Sequence, residues 1–325
     1  MSTAAAVPET RGLSGEHAWT TLRRTGRRRL LAAAFLRMRV SDGFSHARSL
    51  AFLTSLVAVE GVIAVVGLAA ANGGNGFSSV IAATVRGAVP GPAGEALTSA
   101  ISHAQDNGAE HGYGGLVIGT IGTLLTATLA FGQLERAFNR LYGIEQDRPP
   151  VSKYGRALVM AVTHGTVATL ALVSLALGKN LLAGVTSGAA LTAWNAARWP
   201  LGLILIGAAV TGLLRTCPRR SQPQLSWLAF GSGIAVVGWV AVTVALGRFF
   251  RVSHSFGETY GPLAGMVALM MWAVLASTVL IYGAAVAAQL EAVRSDEPEP
   301  QDREKVDESE PLDEKAPVPL AAEVS

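Results

Sequence analysis

Few residues in this 325-residue sequence could do chemistry, and most of them sit in apolar company. Glu60 falls near the middle of a hydrophobic run, where a charge costs roughly 3 kcal/mol or more unless it is neutralised or paired. His164, about two turns into a later run, is the titratable residue nearest to it in depth. The densest group lies in "QLERAFNRLYGIEQDRP", residues 133–149, with Glu135, Arg136, Asn139, Arg140, Tyr142 and Arg148. Arg136 and Arg140 are like charges at i,i+4, mildly unfavourable in isolation, so an anion beside them would relieve the repulsion. Such a cluster suits recognition of an anionic headgroup at a membrane boundary.

Catalytic constellations do not occur in the sequence. His17, His46, His103, His111, His164 and His254 show no HExxH or comparable metal-ligand spacing, and there is neither a P-loop nor a GxSxG nucleophile elbow. Cys217 is the single cysteine, so no intramolecular disulfide forms. The expectation is a protein that is not an enzyme and uses no metal or cofactor.

The elements that must position these residues follow from composition. Half of the residues are hydrophobic and 15% are charged, against about a quarter in an ordinary soluble domain. Eleven of the 23 acids follow Val293 and nine of the 26 basic residues precede Ser49, which leaves an apolar body between. The basic residues flank apolar runs instead of coating a water-facing domain, which argues against a nucleic-acid partner. A helix needs about 20 apolar residues to cross a bilayer. Six runs qualify: 49–71, 114–133, 157–177, 199–214, 227–246 and 261–290, the fourth being the shortest. With the N-terminus cytoplasmic, 21 basic residues fall on the cytoplasmic side and 5 on the other. The expected fold is an all-α integral membrane protein, a six-transmembrane-helix bundle with both termini cytoplasmic. Arginine outnumbers lysine 22 to 4, a bias of GC-rich bacterial genomes, so the expected location is a bacterial cytoplasmic membrane.

Three regions follow. Residues 1–29 read as a basic disordered tail ending in "RRTGRRR". Residues 30–293 form the membrane domain, opening with an interfacial helix over 30–40 whose arginines can meet anionic lipid. Residues 294–325 are acidic, proline-rich and disordered. Between spans 1 and 2, helical spacing over 80–89 and 93–104 predicts extracytoplasmic interfacial helices.

Within the opening cluster, Leu134, Ala137, Phe138 and Leu141 share one helical face, and Glu135, Arg136, Asn139 and Arg140 share the opposite one. The second span therefore continues beyond its apolar run to a cap at Gly143, before "DRPP" stops any helix. The polar face either simply leaves the membrane for water or forms a functional cluster.

"AFNRLYGIEQDRP" resembles the signature of the YihY/BrkB family of bacterial inner-membrane proteins, at Ala137, Asn139, Tyr142, Glu145, Arg148 and Pro149. The last span resembles the family at Tyr260, Gly261, Trp272, Gly283 and Ala284, and the fifth at Gly231 and Trp239. The likeness covers roughly residues 30–293. Where the family often has a proline in the first span this chain has Glu60. Where it tends to carry an acid and an Asn near the end of the last span, this chain has Ala285 and Ala287 and keeps Gln289 and Glu291.

The resemblance and the polar stripe imply transport or flipping of a lipid or amphiphilic envelope component. In that expectation Arg136 and Arg140 meet an anionic headgroup, and Glu60 serves proton coupling or a polar path. The alternative is a non-transporting scaffold for envelope biogenesis, in which the acidic tail engages a cytoplasmic partner. Membrane lipids are the expected partner, and a homo-oligomer is left open. Members of the family have carried a ribonuclease label, for which this sequence offers no metal cluster and no soluble basic domain.

Overall fold

The computed structural model describes residues 4–71, 82, 85, 89, 91–107, 112–176, 188–253, 255–260 and 263–300. Helix is the expected answer to long apolar runs, because a lipid-facing segment must satisfy its backbone groups within itself. Among the described residues there is no strand. The helices are α1 (Gly15–Thr25), α2 (Arg27–Val40), α3 (Gly43–Ala71), α4 (Pro92–Asn107) and α5 (Gly112–Leu141). They continue with α6 (Pro150–Ala176), α7 (Gly188–Thr216), α8 (Leu225–Val252), α9 (Ser255–Tyr260) and α10 (Ala264–Arg294).

Five stretches are long and apolar enough to cross a membrane: Gly43–Ala64, Gly114–Leu141, Thr192–Thr216, Leu225–Val252 and Ala264–Arg294. The fourth predicted run, 16 residues by sequence, is only the apolar half of α7. That helix starts 11 residues earlier and carries Pro200 inside it, so its 29 residues are ample. The third predicted run is α6, 27 residues long but not one of the five.

The six long helices close a ring. α3 packs on α5, α5 on α6, α6 on α7, α7 on α8, α8 on α10, and α10 back on α3. Close packing of α8 on α10 depends on two glycines the sequence had singled out. A Cβ on Gly231 would lie 2.5 Å from the carbonyl oxygen of Gly283, and one on Gly283 would lie 2.6 Å from that of Gly231. Small residues at such crossings let backbones approach in a setting where lipid tails supply little drive for association. The ring's outer surface is greasy, with Ile118, Leu125, Ile204, Val237 and Met266 all exposed. That is how a hydrocarbon-facing surface looks.

The two ends differ. At one end α4 lies against α3 and α10, burying Ala93, Leu97 and Ile101 on Val62, Ala268 and Leu269. The predicted helix over 80–89 lies almost wholly outside the described residues. At the other end the chain expected to be a disordered tail is built into the bundle. α1 packs on α8 and α10 and buries Ala18 completely, and residues 4–10 hydrogen-bond to three loops. The sequence suggested disorder there because arginines and small residues offer little to bury. What orders it is partners: polar groups that other segments leave unmet at this end. Residues 295–300 are also ordered against the bundle, and 301–325 of the acidic tail lie outside the described residues.

Candidate functional site

The ring encloses a recess of about 460 Å³ lined by side chains from all six long helices. Its wall includes Thr54, Phe131, His164, Val210, Trp239 and Ser277, one from each helix in chain order, together with Trp272. The lining is overwhelmingly apolar, so the recess suits a hydrocarbon chain or ring better than a solvated polar solute. Trp272 donates from Nε1 to Thr243 Oγ1 at 3.1 Å, which fixes its indole against the wall. Below the recess, Leu134, Phe138, Leu141, Leu214, Trp227, Leu228 and Ile281 pack into a plug with almost no exposure.

Beneath that plug most of the polar stripe of α5 is bonded within the chain, though Glu135 Oε1 and Arg140 Nε are buried without a partner. Asn139, fully buried, donates to Asp147 Oδ1 at 3.0 Å and accepts from the Arg219 backbone N–H at 2.8 Å. Asp147 also accepts from Arg136 Nε at 3.0 Å and from Lys153 Nζ at 2.8 Å. Burial alone would raise this carboxyl, but Lys153, Asn139 and Arg136 hold it well below the usual carboxylate range. Glu135, buried, pairs with Arg148 at 2.9 Å, and Arg148 donates onward to the Cys217 and Pro218 carbonyls. Arg140 donates to the carbonyls of Ile144 and Glu145. The anion that Arg136 was expected to want is thus Asp147, and Arg140 is answered by backbone dipoles.

The turn after α5 is as the cap signal predicts. Gly143 has φ +76°, and its N–H donates to the Arg140 carbonyl at 3.3 Å. A side chain is doubly excluded there, since a Cβ would lie 2.4 Å from Ala6 Cα of the N-terminal segment. That segment runs alongside the turn: Ala4 N–H donates to Arg140 and Val7 N–H to Tyr142. Pro149 accepts from Lys153 N–H at 2.9 Å and so starts α6.

A second layer ties in the end of α10. Arg37, on α2 and completely buried, donates to Gln289 Oε1 at 2.7 Å and to the Ala5 and Leu141 carbonyls at 2.9 and 3.0 Å. Burial pushes its guanidinium down to about 10, which still leaves it charged at neutral pH. Arg220 pairs with Glu291 at 2.6 Å, lies 4.5 Å over the Tyr142 ring, and donates to the Val7 and Pro8 carbonyls. Burial pushes the Tyr142 phenol above its ordinary value, with the Glu291 charge adding to the shift, so it stays neutral under Arg220.

The structure therefore brings together Glu135, Arg136, Asn139, Arg140, Tyr142 and Arg148, joins to them Gln289 and Glu291, which the sequence keeps at the end of the last span, and adds residues the sequence reading did not single out: Arg37, Asp147, Arg219 and Arg220. Arg37 carried a signal, being a charge on the apolar side of the predicted interfacial helix. Asp147, Arg219 and Arg220 lie in loops whose pairing no helical periodicity could reveal. Glu60 and His164 stand apart from this cluster. Glu60 accepts from Thr126 Oγ1 at 3.1 Å across the α3–α5 seam, and its other carboxyl oxygen is buried without a partner. His164, the titratable residue nearest to Glu60 in depth by sequence, instead contacts Thr163 Oγ1, the Phe131 ring and Gly212, which puts the imidazole on the recess wall. Tyr260 ends α9 with its ring on Phe256, and Gly261 lies outside the described residues.

A closed ring of long apolar helices, greasy outside and locked by polar side chains at one end, defines a polytopic α-helical membrane protein. The chain belongs to the virulence factor BrkB family, whose model matches residues 34–308. It is 24% identical over 199 residues to the ribonuclease-like protein YfkH of Bacillus subtilis, covering 60% of this chain and 71% of that one. It is 26% identical over 189 residues to a UPF0761 membrane protein of Azoarcus sp. strain BH72, and 28% identical over 182 residues to one of Aromatoleum aromaticum. Those two matches cover 54% of this chain and 43% and 42% of the relatives, so the chain spans less than half of their length. No solved structure matches it.

Proposed function

We propose that this chain moves a lipid or lipid-like envelope amphiphile across a bacterial cytoplasmic membrane and is not itself an enzyme. The observation that carries the proposal is the recess. It is lined by all six long helices and apolar, and its volume of about 460 Å³ falls in the range of small-molecule sites, roughly 300–1,000 Å³. The apolar part of the substrate lodges there, above the packed plug. Glu60, with one carboxyl oxygen lacking a partner in the α3–α5 seam, is the candidate for proton coupling or a polar path. In this proposal all six long helices span the bilayer, both termini are cytoplasmic, and the arginine-rich end faces the cytoplasm.

Gly165 lines the recess, and a Cβ there meets nothing within 4 Å, so Gly165→Leu adds bulk at its wall. In liposomes holding the purified chain, a fluorescent anionic lipid should cross several-fold more slowly with Gly165→Leu, and also with Glu60→Gln. Rates equal to wild type in both variants would sink the proposal. A wild-type chain that moves no lipid, with cellular function lost only on removal of residues 301–325, would instead favour the scaffold. For orientation, Asn107→Cys in a Cys217→Ser background should react with an impermeant maleimide from outside the cell, and reaction from the inside alone would invert the topology.

A further inference from the structure

A second apolar concavity lies on the outside of the ring. It is a groove of about 650 Å³ between α8 and α10, lined by Phe230, Gly233, Val237, Gly238, Val279 and Tyr282. Val237 is 70% exposed, so the groove is continuous with the hydrocarbon-facing surface. The α1–α2 elbow, bent at Gly26, wraps its polar end. Tyr282 Oη donates to the Leu31 carbonyl at 3.1 Å, and the Trp19 ring lies 6.4 Å from Phe230. The Arg23 guanidinium sits 4.9 Å over Trp19, and Arg24, Arg27, Arg28 and Arg29 are exposed around the bend. Residues 15–29 carry these five arginines against one acid, Glu16.

We infer that this groove and elbow form a binding site for an anionic phospholipid, separate from the central recess and independent of whether the chain transports anything. An acyl chain fills the groove, and the phosphate of the headgroup meets the arginines where groove and elbow join. Charge decides the headgroup: a guanidinium presents paired donors to phosphate oxygens, and a zwitterionic headgroup would place its own cation among five others. Depth agrees as well, because Trp19 is exposed on this elbow, and tryptophan favours the headgroup level.

The test is native mass spectrometry of the full chain in detergent with matched-chain phosphatidylglycerol and phosphatidylcholine. The wild type should retain one phosphatidylglycerol, preferring it by at least about tenfold, as a few arginines near an anionic headgroup supply. Combining Arg23→Gln, Arg27→Gln and Arg28→Gln should erase that preference while leaving acyl-chain binding. Gly233, where a Cβ meets open space, offers the complementary change: Gly233→Phe fills the groove and should weaken retention of both lipids several-fold. Each variant's unfolding temperature, held within a few degrees of wild type, shows that folding is intact. Equal retention of the two lipids by wild type would overturn the inference. So would a preference that survives the triple substitution, or retention unaltered by Gly233→Phe.

Discussion

The arginine-laced end and the recess are close neighbours built on opposite principles. Leu134 lines the recess and Asn139 is buried in the polar cluster, yet only five residues of α5, about 7.5 Å along the axis, separate them. In the cluster, guanidinium, carboxylate and amide groups hold one another in place. In the recess, side chains from six helices leave space that none of them fills. The first arrangement holds one geometry rigidly, because a misplaced partner strands a buried charge. The second tolerates change, since its lining is almost wholly apolar and holds no ion pair. The proposed carrier role would use both: a part that stays shut and a part that accepts a guest.

The comparison makes its largest prediction at Arg220, whose side chain is 3% exposed and whose partner Glu291 is fully buried. Arg220→Ala leaves that carboxylate without its cation and should destabilise the chain by about 3–5 kcal/mol, read as a fall in unfolding temperature in detergent. A loss under about 1 kcal/mol would mean the cluster is ornamental. Next comes Gly143→Ala, where a left-handed φ and the Ala6 backbone both oppose a methyl group. It should cost about 2 kcal/mol or more and speed hydrogen exchange at Ala4 and Val7, whose amides bond to this turn. Unchanged exchange would show that the N-terminal segment does not need the turn. Asn139→Ala, which takes one of three donors from Asp147 and strands the Arg219 N–H, should cost about 1–3 kcal/mol.

These residues also show how far the sequence could be read. The run of α5 beyond Gln133 and its cap at Gly143 were legible, because helical period, a glycine and two prolines all act locally. Gly231 and Gly283 were legible as positions of the family resemblance, though not that they would face each other. The direction of the stripe was not legible. A stripe of Arg136, Asn139 and Arg140 has the same pattern whether its partner is water, lipid or another loop. Its partners here, Asp147 and the 217–220 turn, are set by how separate helices end, which no periodicity encodes. The N-terminal segment was missed for the same reason: its order comes from Arg37, Arg220 and Glu291, far off in sequence. The recess was invisible too, since it is space that six helices fail to fill.

Against the cluster's sensitivity, the recess should be permissive. Gly165→Leu should destabilise the chain by no more than about 0.5 kcal/mol, because the Cβ meets no neighbour and leucine is the better helix former in α6. A loss above 2 kcal/mol would show that the recess closes in solution and that the contrast with the cluster is false. Combined with slowed lipid movement, a small stability effect would separate a role in binding from a role in folding.

The mildest prediction concerns pH. Asp147 is only partly buried, but three donors hold its carboxyl below the ordinary value of 3.8. A group whose pKa is depressed on folding contributes stability that is complete above its unfolded value and fades as pH falls through the folded one. Asp147→Asn should therefore be less stable than wild type from pH 7 down to about 5, by a constant margin. Below about pH 4 the margin should shrink as wild type begins to lose the charge in its unfolded state. Melting curves of the two proteins between pH 7 and 3 measure it. A margin that stays flat to pH 3 would mean that Asp147 is held by geometry alone and that its charge adds nothing to the lock. A margin that shrinks already at pH 6 would mean that a group other than Asp147 titrates at this end.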